Sequence, residues 1–368
     1  MNWTIDDYTH MSRAVRLART GWYTTHPNPR VGCVLVRDGR LIGAGWHEYA
    51  GGPHAEVNAL TAAGEEARGA DCYVTLEPCS HTGRTPPCAD ALIGAGIRRL
   101  ITAMPDPNPA VAGRGLERLR RAGVVVETGL LESRAVDLNP GFIKRMTEQL
   151  PYVRCKLAMS LDGRTAMAGG ESAWISGVPS RMDVQRLRAQ SAAIMTGIGT
   201  VLADDPRLTV RDIDTGGRQP LRVVIDPQLK FPNSARMLKE AGRTLIFTQA
   251  HNKEIAGQLT RAGAEIIVLP ADGFLSAVHH YLALTEEINE VLLESGARLA
   301  GSMLNLGLLD EVIVYQAPLL MGDGARGLFH LPDIKAMSHA VKIEITDTRK
   351  IGKDQRITFK VQHSTFTV

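Results

Sequence analysis

The chain has 368 residues, 44% hydrophobic and 22% charged, and its 42 basic against 39 acidic side chains leave a net charge of only +3. Basic residues are scattered or form short pairs such as Arg98-Arg99 and Arg120-Arg121, so nothing advertises a nucleic-acid surface, and no stretch has the length and apolarity of a membrane span. Five cysteines, an odd number in a long chain, argue against a secreted disulfide framework, and Met1 to Asp7 lacks the basic flank and apolar run of a signal peptide. The cytoplasm is the expected compartment, and the length is ample for two domains.

Near the N-terminus, Thr25-His26-Pro27-Asn28-Pro29-Arg30 precedes the apolar run Val31 to Val36, and Asp38-Gly39 then gives a hairpin signal before Leu41-Ile42-Gly43. Asn28 stands where it could hydrogen-bond a heterocycle, or serve as a turn asparagine between two prolines. Pro53 marks a helix start, and Val57 to Ala63 continue it with good helix formers. Residues two apart do not share a face in mid-helix, so His54 and Glu56 are placed at that start.

The apparent strand Cys72 to Leu76 leads into Pro78-Cys79, and Pro86-Pro87-Cys88 precedes the helical stretch Ala89 to Ile93. One imidazole and two thiolates are the ligand number of a catalytic zinc site that keeps its fourth position open. Glu56 is then free to move protons. Two helix N-termini would converge on the metal, and their positive ends favour thiolate over thiol. The order His-Ala-Glu, strand, Pro-Cys matches the zinc deaminase signature, but eight residues rather than two separate the cysteines. This insert is rich in donors, His81 and Arg84 among them, which suits a substrate carrying an anionic group.

Further strands are expected at Ile97 to Ala103 and at Val124 to Glu127, with a helix at Leu116 to Arg121 that stops at Ala122-Gly123. Such alternation implies a sheet covered by helices on both faces. After Asn139-Pro140-Gly141 the pattern lapses across Phe142 to Gln149, which predicts a hinge. A second alternating series follows Pro151, with apolar runs at Tyr152 to Met159, Ala192 to Thr196, Leu221 to Ile225, Thr244 to Thr248, Glu265 to Leu269, Val291 to Leu293 and Val312 to Tyr315. Two glycine-bearing turns stand out, Thr196 to Thr200 and Glu294 to Ser302. Either could lay a phosphate on a helix start. Neither is a Rossmann or Walker fingerprint, and by sequence alone each reads first as an ordinary strand-to-helix glycine turn.

The segments Thr24 to Cys33, Pro53 to Glu56, Thr75 to Cys88, Asp106 to Pro109 and Val111 to Gly115 resemble the bifunctional riboflavin biosynthesis family RibD. The likeness resumes at Lys156 to Ala166, Gly170 to Ser176 and Val201 to Arg211. It implies a cytidine-deaminase-like three-layer αβα domain at 1–147, a zinc-dependent pyrimidine deaminase, followed at 148–368 by a dihydrofolate-reductase-like α/β domain that reduces with NADPH. The ligands would be His54, Cys79 and Cys88, with Glu56 the proton shuttle and Asn28, His81, Arg84 and Asn108 on the substrate. In the second half Ala158, Trp174, Thr200, Asp204 and the turn Gly296, Ala297, Arg298, Leu299, Ala300, Gly301 and Ser302 would contact the dinucleotide. Ser172, Arg188, Leu208, Arg211 and Glu294 would contact the phosphorylated substrate, and Lys156 would face the reacting ribose. The resemblance also implies a homo-oligomer, dimer or tetramer.

Departures from the family are Pro227, where a serine often approaches the cofactor, and Ser295-Gly296-Ala297-Arg298 in place of a Gly/Ala-Gly-Pro-Thr run. By residue type alone, Arg188 could sit on a solvated helix face and Trp174 in a core. Two other readings stay open here: a zinc deaminase of tRNA or a free nucleobase with a C-terminal recognition domain, and a non-catalytic zinc-stabilised binding module.

Overall fold

The computed structural model describes residues 3–80, 87–109, 111–172 and 174–362. It divides into two compact units, Met1–Gln149 and Leu150–Val368.

In the first unit α1 (Ile5–Ala18) begins at a capping box, in which Thr4 and Asp7 satisfy each other's backbone amides. Then come β1 (Gly32–Arg37) and β2 (Arg40–Trp46). Asp38 and Gly39, both at positive φ, form the tight turn that the sequence signals between them. There follow α2 (Ala55–Ala63), β3 (Asp71–Val74), α3 (Cys88–Gly94), β4 (Arg99–Thr102), α4 (Arg114–Arg121), β5 (Val125–Thr128), α5 (Glu132–Val136) and α6 (Pro140–Glu148). The sheet order is β2-β1-β3-β4-β5, with β1 antiparallel to both its neighbours and β3, β4 and β5 parallel.

The expected hinge at Phe142 to Gln149 is instead a helix, α6. Pro140 suits its first turn, and Asn139 just before it bonds the backbone N–H and C=O of Arg30 at 2.8 and 2.9 Å. Phe142 and Ile143 pack against the first unit's core. Its large apolar residues are only Phe142, Ile143 and Met146 among charged and polar neighbours, so the segment shows little periodicity.

The second unit contains β6 (Tyr152–Ser160), β7 (Arg164–Ala166), α7 (Val178–Gln190), β8 (Ala193–Gly197), α8 (Ile198–Asp204), β9 (Leu221–Ile225), β10 (Thr244–Thr248), α9 (Lys253–Arg261), β11 (Glu265–Val268), α10 (Phe274–Leu284), β12 (Glu290–Leu293), α11 (Ala297–Asn305), β13 (Glu311–Ala317), β14 (Arg326–Gly327), β15 (Ile343–Ile351) and β16 (Asp354–Val361). Nine strands form one sheet in the order β11-β10-β9-β8-β12-β6-β13-β16-β15, and β7 pairs with β14 apart from it. From β11 to β13 the neighbours are parallel, while β16 and β15 close the edge as an antiparallel hairpin. Strands β9, β10 and β12 are buried along their whole length, as a parallel sheet covered on both faces requires. Among the described residues no helix is long and apolar enough to cross a membrane.

Candidate functional sites

Close backbone packing positions the first site. A Cβ at Gly43 would lie 2.4 Å from the Ala59 carbonyl oxygen, and one at Gly45 would lie 2.5 Å from the Ala59 nitrogen. Only glycines let β2 accept α2 this closely. The N-terminus of α2 is thereby placed, with His54 extended at its N-cap and Glu56 buried in its first turn. Cys79 follows β3, and Cys88 is the first residue of α3.

The three ligand atoms all lie within 4.8 Å of one another. His54 Nδ1 is 3.2 Å from Cys88 Sγ and 3.7 Å from Cys79 Sγ, and the Cys88 amide donates to Cys79 Sγ at 3.2 Å. Bond lengths of about 2.0–2.1 Å to nitrogen and 2.3 Å to sulfur give a tetrahedral N···S edge of roughly 3.6 Å, so this donor set fits zinc.

The bond from Cys88 draws the Cys79 thiol down to about 4, against burial and with help from His54 and the Cys88 amide. The same bond, seen from its other end, raises Cys88. Hydrogen bonding to Cys79 likewise raises His54. Burial pushes the Glu56 carboxyl up to about 7, with His54 opposing. A cation at the ligand atoms favours both thiolates and draws Glu56 downward.

His47, at the end of β2, is a residue that sequence motifs did not single out. Its Nδ1 donates to the Pro53 carbonyl at 3.0 Å, which leaves Nε2 to accept from Asn28 Nδ2 at 3.0 Å. Burial lowers its pKa, consistent with the neutral ring this bonding needs. His47 therefore orients the Asn28 amide and holds the residue before His54. Its ring lies edge-on to His54, 5.5 Å between centroids. In the sequence the only signal is a histidine closing an otherwise apolar strand. Asn108 lies in the loop after β4, where its backbone N–H donates to the Asp106 carboxylate at 2.8 Å. His81 and Arg84 fall outside the described residues.

In the second unit β8 and β12 are parallel neighbours, and each runs through a glycine into a helix, Gly197 into α8 and Gly296 into α11. Neither helix start has a side-chain cap, and a Cβ at Gly199 or Gly296 would meet nothing within 4 Å. Leu299 reaches to 3.4 Å of where a Gly197 Cβ would be, so the two turns adjoin. The Thr196 hydroxyl at the end of β8 is buried without a hydrogen-bond partner. Paired open helix starts beside an unsatisfied hydroxyl fit the phosphates of a dinucleotide.

Thr200 and Asp204 lie on α8, and Ala297, Arg298 and Leu299 in the first turn of α11. Ser302 is exposed one turn further on. Two members of that turn serve packing: Ala300 is in the core, and Gly301 leaves room for the His330 carbonyl, 2.2 Å from where its Cβ would be. Lys156 and Ala158 lie on β6, alongside β12. Burial lowers the Lys156 ammonium pKa, with Glu294 opposing.

Arg188 is not on a solvated face. Its guanidinium clasps Glu294 at 2.6 and 3.0 Å, with the two side chains 12% and 13% exposed, and it also donates to the Thr209 carbonyl. Burial pushes the Glu294 carboxyl up, but Arg188, Lys156 and Arg211 together hold it below its ordinary value. Arg211 is exposed and bonds the Thr209 hydroxyl, while Leu208 beside them is buried at φ 49°. Ser172 and Trp174 occupy the segment between β7 and α7. Trp174 is 77% exposed, with Arg181 stacked 4.7 Å from its ring, so it is no core residue.

Residues 151–357 match the RibD C-terminal domain, and residues 4–104 match the cytidine and deoxycytidylate deaminase zinc-binding region. The riboflavin biosynthesis protein RibD of Escherichia coli (strain K12) is 49% identical over 95% of this chain and 97% of its own length. The chain belongs to the RibD family. RibD of Aquifex aeolicus (strain VF5) is 40% identical over 96% of this chain and 98% of its own. Among solved structures, Acinetobacter baumannii RibD, form 1, superposes with a TM-score of 0.91 at 44% identity, covering 97% of this chain and 99% of that one. A diaminohydroxyphosphoribosylaminopyrimidine deaminase/5-amino-6-(5-phosphoribosylamino)uracil reductase from Thermotoga maritima does so with 0.87 at 33% identity, covering 97% and 99%. The two family matches fall one on each unit, the cytidine-deaminase-like part on the first and the reductase part on the second, as the resemblance implies.

Proposed function

We propose that this protein works in riboflavin biosynthesis as a zinc-dependent deaminase of diaminohydroxyphosphoribosylaminopyrimidine and an NADPH-dependent reductase of the resulting aminouracil. The observation that carries the first half is the meeting of His54, Cys79 and Cys88 within 4.8 Å, beside the buried carboxyl of Glu56. Those three residues would hold the zinc, which supplies the Lewis acidity that makes water nucleophilic at neutral pH. Glu56 takes one proton from the attacking water and passes it to the ring nitrogen, then takes the second from the hydroxyl now bonded to carbon and delivers it to the departing amine. Oxygen replaces nitrogen on the pyrimidine carbon, and ammonia leaves. Asn28, held by His47, orients the heterocycle, and Asn108 contacts the substrate from the loop after β4; His81 and Arg84 are assigned to it by family likeness.

In the second unit the turns at Gly197 and Gly296 receive the dinucleotide, with Ala158, Trp174, Thr200, Asp204 and Ala297 to Ser302 around it. NADPH, when bound there, would supply the hydride, and water the accompanying proton, for reduction of the ring-opened ribosyl group to ribityl. The chain's part is alignment, because reacting atoms must be held within about 3–3.5 Å. Ser172, Leu208 and the exposed Arg211 meet the phosphorylated substrate. Arg188 and Glu294 frame it as a pair, and Lys156 presents a cation to the ribose. The protein acts as a homo-oligomer, dimer or tetramer. The edge strand β15 supports this, since Ile343 and Ile345 are 46% and 60% exposed on a strand that, among the described residues, is the last in its sheet. Thiol ligands suit the cytoplasm, where they stay reduced.

The test is to incubate zinc-replete protein with the diaminopyrimidine and weigh the products. A gain of one mass unit without NADPH, and two more with it, is expected. Ultracentrifugation reads the assembly. No gain without NADPH removes the deaminase, and no further gain with it removes the reductase.

A further inference from the structure

Glu77 stands two residues before Cys79 and is buried. Its carboxylate accepts four backbone amides of a single downstream segment. One oxygen takes Asp106 at 3.0 Å and Gly113 at 2.9 Å, and the other takes Gly115 at 2.9 Å and Leu116 at 3.4 Å. Its own amide donates to the Met104 carbonyl at 3.0 Å. The end of β4, the loop after it and the start of α4 are thus folded around one carboxylate in the segment after β3 that delivers a candidate metal ligand.

Packing tightens the same joint. A Cβ at Gly115 would fall 2.0 Å from the Pro78 carbonyl oxygen, so α4 begins in direct backbone contact with the residue before Cys79. Arg118, one turn on, bridges to Asp90 of α3 at 2.6 Å and reaches the Ser80 carbonyl at 3.4 Å. The loop held by Glu77 leaves the carboxyl end of β4, parallel to β3, and Cys79 lies beyond the carboxyl end of β3. In open α/β sheets, ligands bind beyond those strand ends.

We propose that Glu77 is a positioning residue for the deamination: it pins the Asp106–Gly113 loop, which carries Asn108, to the segment after β3 that carries Cys79, so that substrate-binding loop and metal centre keep one geometry. This rests on the deaminase assignment above. Both Glu77 oxygens are taken up by backbone amides, so its part is to position the loop rather than to contact substrate or metal. Two oxygens that only accept are needed, because four donors converge on them. Glutamine is therefore not a neutral replacement: its amide would turn an N–H group toward two N–H groups.

The test is steady-state deamination by the full, zinc-loaded chain, with E77Q, N108A and the double variant. E77Q is expected to raise KM about tenfold with a smaller fall in kcat, at unchanged zinc content and unchanged NADPH oxidation in the other unit. A purely structural role would shrink the active fraction, lowering apparent kcat at constant KM. Because Glu77 acts through the loop, the KM increases of E77Q and N108A should not multiply in the double variant. Unchanged KM in E77Q, or fully multiplicative effects, overturns the proposal. Hydrogen exchange of the wild type needs no variant: the amides of Asp106, Gly113 and Gly115 should be protected like those of β4, and fast exchange overturns it too. Wild-type protein that releases no ammonia in the same assay would instead defeat the deaminase assignment.

Discussion

Replacing Arg188 with alanine removes both hydrogen bonds from Glu294, at 2.6 and 3.0 Å, in a pair whose side chains are 12% and 13% exposed. Breaking a buried ion pair by deleting one partner costs about 3–5 kcal/mol, because the survivor is left as an uncompensated charge. Lys156 and Arg211 still attract Glu294, and the truncation admits water. The expected cost is therefore nearer 2–3 kcal/mol, or roughly 4–12 °C in the melting of a domain of this size.

The sign of its pH dependence is determined. In the wild type Glu294 is depressed, so its contribution is full above the unfolded carboxyl pKa and is lost as pH falls through the lower folded value. In R188A burial meets less opposition and the carboxyl rises, so keeping it charged is costly at neutral pH and protonation relieves the cost. The stability gap should narrow as pH drops from about 8 to about 5. Calorimetry of the full chain, following the reductase transition, measures the gap, and R188A/E294A should recover part of the loss. An unmoved transition, or a gap that widens in acid, would refute the reasoning. Reductase KM should rise in the same variant.

Glu56→Gln should lower deamination about 10²–10⁴-fold, the usual worth of a positioned acid and base, with zinc content intact; near-normal turnover would remove Glu56 from proton transfer. Cys79→Ser should abolish zinc retention and ammonia release yet leave NADPH oxidation on the aminouracil, and loss of both activities in a folded protein would contradict separate sites. Gly45→Ala puts a methyl 2.5 Å from the Ala59 nitrogen, so about 1–3 kcal/mol of overpacking is expected, with weaker zinc retention as α2 shifts. A variant with unchanged melting and metal content would show that α2 does not depend on that contact.

Residue type and order made much of this protein legible. The strand runs from Tyr152 to Tyr315 stood out because strands of a covered parallel sheet are apolar on both faces, as β9, β10 and β12 are. His54, Glu56, Cys79 and Cys88 were recognisable because few chemistries call for one imidazole, two thiols and a spare carboxylate next to helix starts. By contrast, β15 and β16 alternate charge with isolated apolar residues, and β15 is largely exposed, so no hydrophobic period marked the hairpin. Helix α6 was hidden for a similar reason.

The roles of His47, Glu77 and Arg188 were decided by the tertiary structure. A histidine between Asn28 and the Pro53 carbonyl, a carboxylate holding amides 29 to 39 positions away, and a guanidinium pairing with a glutamate 106 residues on leave no local pattern. Chemical identity is a property of each residue and can be read in order along the chain. Which groups share a hydrogen bond depends on which strand ends the sheet brings side by side, and pairing between distant segments sets that.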